Sequence, residues 1–295
     1  MTPTTTMNII GCGRLGKTLA CLWRKHDMLQ VQDVVNRSLP SAQAAIDFIG
    51  AGTACGAEEL HPADITLIAT DDASIAACAA QLDATGILRP GDIVFHCSGA
   101  LGSEILAPLR RCKALLASVH PIKSFADPAS ATSSFPGTFC GIEGDRPATE
   151  RLKPLFEGIG GKLLPLSGDT KTLYHAAMTI SANYLVTLMQ MSIETLEQAG
   201  LPAETALQVL EPMVRNTVDN IFTLGPGAAL TGPIARRDGM IVKRHVDALR
   251  TWQPDMAKLY QALGRKTLEV AQNHKAAAAA KEQAMQNILK NGETD

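Results

Sequence analysis

The chain has 295 residues, 46% of them hydrophobic and 19% charged, and a formal net charge of -2 at pH 7. That length allows two domains around sizeable cores, and the composition is that of a soluble globular protein. The near-neutral balance gives no basic field for nucleic acid or an anionic membrane, so the expected partners are a small-molecule substrate and another protein chain.

The opening "MTPTTTMNIIGCG" has no basic n-region and no long apolar h-region, and no later stretch is apolar for the length of a membrane span. Seven cysteines (Cys12, Cys21, Cys55, Cys78, Cys97, Cys112 and Cys140) lie in the first half without a C-x-x-C pair. They are expected to be buried thiols in a reducing cytoplasm, and no metal site is read from them.

From Met7 to about Ser167, short apolar runs alternate with helix-like segments. The runs are "MNIIG", "VQDVVN", "DITLIAT", "GDIVFHCSG", "ALLASVHP", "TFCGIEG" and "GKLLPLS"; between them lie "RLGKTLACLWRKH", "SAQAAIDFIG", "DDASIAACAAQL", "LGSEILAPLRR" and "ATERLKPLFEGIG". This alternation predicts an α/β fold, a Rossmann-like, doubly wound, mainly parallel sheet over residues 1–167. From residue 168 to 295 an all-α domain is expected, with helices over 170–199, 203–223, 239–263 and 264–290, punctuated by "AGLPAE", "LGPGAALTGPIARRDG" and "ALGRK". Asp169 or Thr170 is the expected cap of the first of these, and the tail after His274 reads as a surface helix that frays into a polar end.

The first strand runs into "IIGCGRLG", with Gly11, Gly13 and Gly16 spaced G-x-G-x-x-G at the opening of a helix. Gly11 permits the tight turn, Gly13 lets backbone N–H groups approach a pyrophosphate, and Gly16 allows close helix packing. Cys12, Arg14 and Leu15 complete this segment, whose helix N-terminus faces the anion with free donors. About twenty residues further on, where an NAD-binding fold places an acid, Asn36, Arg37 and Ser38 offer amide, guanidinium and hydroxyl donors instead. Arg37 suits a 2'-phosphate, which points to NADP(H).

Ligands of such sheets lie beyond the carboxyl ends of the strands, so the residues that follow the later strands matter most. Thr70 and Asp71 are placed for the cofactor ribose, Asp71 and Asp72 being equally readable as helix caps. Ser98 and Gly99 are placed for the nicotinamide or substrate edge, and His120 is either a catalytic acid or a group that fixes a turn. On the long helix that follows, Lys171, His175 and Asn183 fall within an arc of about 120 degrees. That arc either faces a cleft, as reduction of C=O or C=N requires, or leaves Lys171 in an exposed first turn with His175 as a satisfied helix residue. Further on, Arg236 in "ALTGPIARRDG" is a candidate for a substrate carboxylate, or part of a solvated helix start.

The phrases "GCGRLG", "HCSGALGSEIL", "SVHPIKSF", "GTFCGIEGD", "LYHAA", "NYLVTL" and "ALTGPIARRD" resemble a bacterial family that joins a Rossmann-like NADP-oxidoreductase domain to a helical C-terminal domain of unknown function. More distantly the chain is similar to pyrroline-5-carboxylate reductase, ketopantoate reductase and the β-hydroxyacid dehydrogenases. The resemblance implies a homodimer through the helical domain. In the latter two groups a lysine early on the first long helix of the second domain is the catalytic acid and an asparagine follows one turn later. Lys171 matches the lysine, but His175 stands where the asparagine is expected and the next Asn is Asn183. "SVHP" is similar to the His-Pro segment of prephenate dehydrogenases. The expected function is an NADP(H)-dependent oxidoreductase acting on a small carbonyl, imine or hydroxy acid, with Lys171 and His175 transferring the proton and Asn183 or Ser98 orienting the substrate. The alternative is a non-catalytic NADP(H)-binding sensor or assembly protein.

Overall fold

A computed structural model describes residues 5–290, with side chains described as far as residue 274. The polar end at 291–295, expected to fray, lies outside the described residues. The chain divides into two compact units, Met1–Tyr184 and Leu185–Asp295.

In the first unit, β1 (Thr6–Ile10), β2 (Gln30–Val35), β3 (Thr53–Ala54), β4 (Ile65–Ile68), β5 (Ile93–His96), β6 (Leu115–Pro121), β7 (Phe139–Gly144) and β8 (Lys162–Pro165) form one sheet. Their order is β3-β2-β1-β4-β5-β6-β7-β8. All neighbours are parallel except β6 and β7. Helices α1 (Arg14–Lys25), α2 (Leu39–Ile49), α3 (Ile75–Thr85), α4 (Pro128–Ser133) and α5 (Arg146–Gly158) connect and cover the strands. Every residue of β4 and β5 is buried, as strands covered on both faces require.

Trp23 of α1 donates its ring N–H to the Leu155 carbonyl at 3.0 Å and meets Phe156 edge-on, which ties the first helix to the fifth over one face of the sheet. Ile68, Ile75, Leu82, Leu106 and Leu116 fill the opposite face. The chain moves outward from β1 to β2 and β3, then returns to lay β4 on the other side of β1. That reversal opens a crevice at the carboxyl ends of β1 and β4.

Two elements of this unit differ from the sequence reading. "LGSEILAPLRR" forms a 3-10 helix, Ser103–Cys112, because Pro108 inside it lacks the N–H an α-helix needs. The two-residue edge strand β3 is too short to carry an alternating pattern.

The remaining helices are α6 (Lys171–Gln198), α7 (Ala203–Leu224), α8 (Pro226–Ala229), α9 (Pro233–Arg236), α10 (Gly239–Trp252) and α11 (Pro254–Lys290). The division between the units falls inside α6. A 3-10 turn, Gly168–Thr170, leads directly into this helix, and the Thr170 hydroxyl donates back to the Ser167 carbonyl at 3.1 Å rather than capping it. The expected break at "ALGRK" is absent: α10 stops at Trp252 and Pro254 starts α11, since proline is favoured in a first helical turn, and Gly264 is carried within the helix. In the second unit α11 packs against α8, α9 and α10. Among the described residues no helix is long and apolar enough to cross a membrane.

Candidate active site

The crevice beyond β1 and β4 is a cleft of about 600 Å³ lined by Gly11, Gly13, Asn36, Arg37, Thr70 and Asp71, among others. Gly11 has φ +82°, and a Cβ there would lie 2.8 Å from the Thr70 backbone nitrogen, so only glycine fits. A Cβ at Gly13 would meet nothing within 4 Å and would project into open space. At Gly16 a Cβ would stand 3.3 Å from the Cys12 sulfur and 3.5 Å from the Ala69 Cβ, the close packing read from the motif. Helix α1 starts here with no side-chain cap and no acid in its first turn, which leaves the N–H groups after Gly13 available to an anion. Burial pushes the Cys12 thiol up to about 12, so it stays protonated.

The donors after β2 have separate tasks. Asn36 accepts from the Cys12 N–H at 2.6 Å and donates to the Ser41 carbonyl and hydroxyl at 2.9 and 3.1 Å, which fixes the glycine turn to α2. Ser38 caps α2 by accepting from the Ser41 N–H. Arg37 is exposed at the cleft and has no hydrogen-bond or ion-pair partner among the described residues. Asp71 accepts from the N–H and hydroxyl of Ser74 at 3.1 and 2.8 Å, so it caps the turn before α3; Thr70 donates to the Asp71 carbonyl.

Lys171 is 0% exposed. Its Nζ donates to the Ser98 carbonyl at 2.9 Å and to the Ser118 hydroxyl, and lies 3.7 Å from Glu143 Oε1. Ser118 and Glu143 face each other across the antiparallel pair β6 and β7. Glu143 also accepts from the Ser103 N–H and hydroxyl at 2.7 and 2.8 Å. Burial lowers the Lys171 pKa, with the Glu143 charge opposing it. This placement corrects both sequence readings: the ammonium is neither in an exposed turn nor on an open cleft wall, because the end of β5 and the β6–β7 pair close over the first turn of α6.

Ser98 is 6% exposed, and its hydroxyl accepts from the N–H groups of Ala100 and Leu101 at 3.2 and 2.9 Å. The expected substrate-orienting hydroxyl is therefore the brace of a turn. Beneath it, fully buried His96 accepts from the Ser98 N–H at 3.1 Å through Nδ1 and bonds the Gly102 carbonyl at 3.1 Å through Nε2. Desolvation holds its pKa at about 4.

His120 stands at the carboxyl end of β6 with Nδ1 2.9 Å from the Tyr174 hydroxyl, and its ring meets that of His175 edge-on at 6.0 Å. Gly99 makes room for the two rings. A Cβ at Gly99 would come within 2.8 and 2.9 Å of the His120 ring and 2.5 Å of the His175 ring, while a Cβ at Gly141 would collide with Leu166 and stand 3.3 Å from the Tyr174 hydroxyl. Burial first, then the charges of Lys171 and His175, lower the His120 pKa to about 4, while Asp72 acts in the opposite sense. Burial raises the Tyr174 pKa. His120, Tyr174 and His175 are thus a half-buried set of proton-carrying groups at the end of the strands where substrates of this fold class lie.

Asn183 does not join this set. It is exposed, two turns beyond His175, about 12 Å along the helix axis. Arg236 is exposed at the end of α9, and Asp238 caps α10 by accepting from the Ile241 N–H at 3.2 Å. Sequence reasoning missed Tyr174, although it adjoins His175 in "LYHAA", because it read the helix only along the arc of Lys171, His175 and Asn183. It missed His96, Ser118 and Glu143 because their meeting depends on strand pairing.

Residues 2–121 match a Rossmann-like domain, and residues 138–267 match DUF2520, a domain of unknown function. The chain joins a Rossmann-like domain to a DUF2520 domain. The first match ends with β6 and the DUF2520 match opens at β7, where the sheet reverses direction, so the DUF2520 segment contributes Glu143, Lys171, Tyr174 and His175 while the Rossmann-like segment contributes Ser98 and His120. No curated protein matches the chain. A crystal structure from Thermotoga maritima is 26% identical, covers 91% of this chain and 99% of its own, and has a TM-score of 0.71. The "putative NADP oxidoreductase" of Bacteroides fragilis is 20% identical, with coverage of 90% and 98% and a TM-score of 0.73. Pyrroline carboxylate reductase of Plasmodium falciparum with NADP bound is 11% identical, with coverage of 90% and 98% and a TM-score of 0.56. These likenesses show a shared fold.

Proposed function

We propose that the chain is an NADP(H)-dependent oxidoreductase that moves hydride between the nicotinamide and a small carbonyl, imine or hydroxy acid, and that it works as a homodimer. The cofactor reading rests on one observation: the open space at Gly13, flanked by the uncapped N-terminus of α1 and by the unpartnered guanidinium of Arg37. A pyrophosphate fits the first and a 2'-phosphate the second. The NADP bound by the Plasmodium falciparum reductase and the name given to the Bacteroides fragilis protein support the same cofactor class.

NADPH bound in the cleft supplies the hydride, and residues of this chain carry the proton. The Tyr174 O–H donates to the carbonyl oxygen or imine nitrogen, neutral His120 replaces that proton from Nδ1–H, and the imidazole regains one at Nε2 on the side of His175. Gly99 keeps this path open. Lys171, sealed among Ser98, Ser118 and Glu143, holds the floor of the site and is not the acid.

Titration of NADPH and NADH into the purified protein tests the cofactor. NADPH is expected to bind more tightly, with the preference reduced about tenfold or more in Arg37→Ala, the worth of a charge-assisted contact. Equal affinity for the two cofactors rejects the 2'-phosphate reading, and failure to bind either rejects the cofactor.

The dimer reading rests on α6, where every residue from 180 to 188 is exposed, with Ile180 at 62%, Tyr184 at 55% and Val186 at 71%. Phe222 of α7 is 85% exposed. A helix that is apolar around its circumference is ordinarily buried, and a two-fold axis lets one such surface cover its own copy. Light scattering at micromolar concentration is expected to give two chains per particle, and Val186→Glu one. A monomeric wild type overturns the reading.

A further inference from the structure

Within the second unit, α9, α10 and α11 enclose a cleft of about 430 Å³ whose walls include Ile234, Val242, Val246 and Leu268. Arg237 and Arg265 line it, and neither has a hydrogen-bond or ion-pair partner among the described residues. Asp238 also lines it, but its carboxylate is engaged by the Ile241 N–H at 3.2 Å. Two guanidinium groups against one occupied carboxylate leave the cleft cationic within an apolar wall. Its size suits a small organic molecule.

The backbone at Arg237 supplies an independent observation. The Asp238 N–H donates to the Pro233 carbonyl at 2.8 Å and the Arg237 N–H to the Ile234 carbonyl at 3.0 Å, a helix ending in which glycine usually takes the left-handed position. Here that position is Arg237, with φ 60° and ψ 34°, so its Cβ carries a steric cost that glycine would not. Asp27 and Lys113 also have positive φ, so the conformation alone does not imply a ligand. At Arg237 it coincides with a cleft and a second unpartnered guanidinium, and strain kept at such a place is a mark of a side chain with a task.

The geometry points to a binding site for a small organic carboxylate with an apolar body, its carboxylate held by Arg237 and Arg265 and its body against Ile234, Val242, Val246 and Leu268. A planar guanidinium pairs with a carboxylate through two parallel hydrogen bonds, which lysine does not provide. The site is independent of the nicotinamide reading. It assigns the anion-binding role in "GPIARRD" to Arg237 rather than to Arg236.

Calorimetric titration of the whole protein with hydrocinnamate, isocaproate and octanoate tests it, with uncharged hydrocinnamamide and inorganic sulfate as controls. At least one carboxylate is expected to bind saturably and neither control to do so. Arg237→Gly separates ligand from fold, because it removes the guanidinium and relieves the backbone. Its melting temperature is expected to equal or exceed that of the wild type while carboxylate affinity falls about tenfold or more. Arg265→Gln, which leaves the strained residue in place, is expected to weaken binding in the same way. No saturable binding of any of the three carboxylates, equal binding of hydrocinnamate and its amide, or unchanged affinity in both variants overturns the proposal.

Discussion

Lys171→Met is expected to destabilise the protein by about 3–5 kcal/mol, the range for removing one partner of a buried ion pair. Methionine fills a similar volume, so the loss is electrostatic rather than a cavity. Three groups lose a partner at once: the Ser98 carbonyl and the Ser118 hydroxyl lose a donor, and the Glu143 carboxylate loses its counter-charge. Glu143 is the costly one. Its side chain is 9% exposed, and without the ammonium it keeps only the N–H and hydroxyl of Ser103 to stabilise its charge. Neutralising it in the same protein, as Lys171→Met with Glu143→Gln, is expected to recover a large part of the loss. By contrast the pair Arg146 and Glu150 is exposed on both sides and screened by water, so breaking it is expected to leave stability nearly unchanged. Urea unfolding of the single and double variants measures both. A single variant as stable as the wild type would mean that the ammonium is not holding the turn.

Lys171 also marks where sequence reasoning stopped. Glycine spacing, the alternation of strands and helices, and the absence of an acid after β2 are local properties of the chain, so the sheet, the phosphate turn and the place of Arg37 were legible. The antiparallel pairing of β7 with β6 is not local, yet it sets Glu143 opposite Ser118 and so makes a closed chamber for the lysine. A helical wheel groups Lys171, His175 and Asn183 by angle and ignores height. In the structure Lys171 is sealed, His175 is half-buried beside His120, and Asn183 is exposed farther along the helix. Gly99 was legible as a position at the substrate edge, but not the reason it is glycine: the His120 and His175 rings occupy its side-chain space, as Leu166 does at Gly141, and both meetings depend on distant segments.

Buried His96 and half-buried His120 make stability depend on pH. His96 and His120 each titrate at about 4 in the folded chain against 6.5 for the free side chain, mainly because burial disfavours the imidazolium. Lys171 adds repulsion to both, His175 adds to it at His120, and Asp72 opposes it. The hydrogen bonds agree, since the His96 nitrogen that accepts from the Ser98 N–H cannot also carry a proton. Between pH 6.5 and 4 the unfolded chain therefore binds more protons than the folded one, and stability falls as pH falls through that window. Above 6.5 the contribution is complete, and below about 4 it is lost, roughly 3 kcal/mol for each histidine. Asp64 and Asp127, whose pKa values are lowered from 3.8, act only at lower pH, so the two effects separate. Urea unfolding at a series of pH values is expected to show the decline, with a shallower slope in His120→Gln. Stability that stays constant from neutrality to pH 4.5 would show that neither histidine is held neutral. The same argument links this window to the lysine: in Lys171→Met both histidines lose a repelling neighbour, their pKa values rise toward 6.5, and the acid-sensitive range narrows from its lower end.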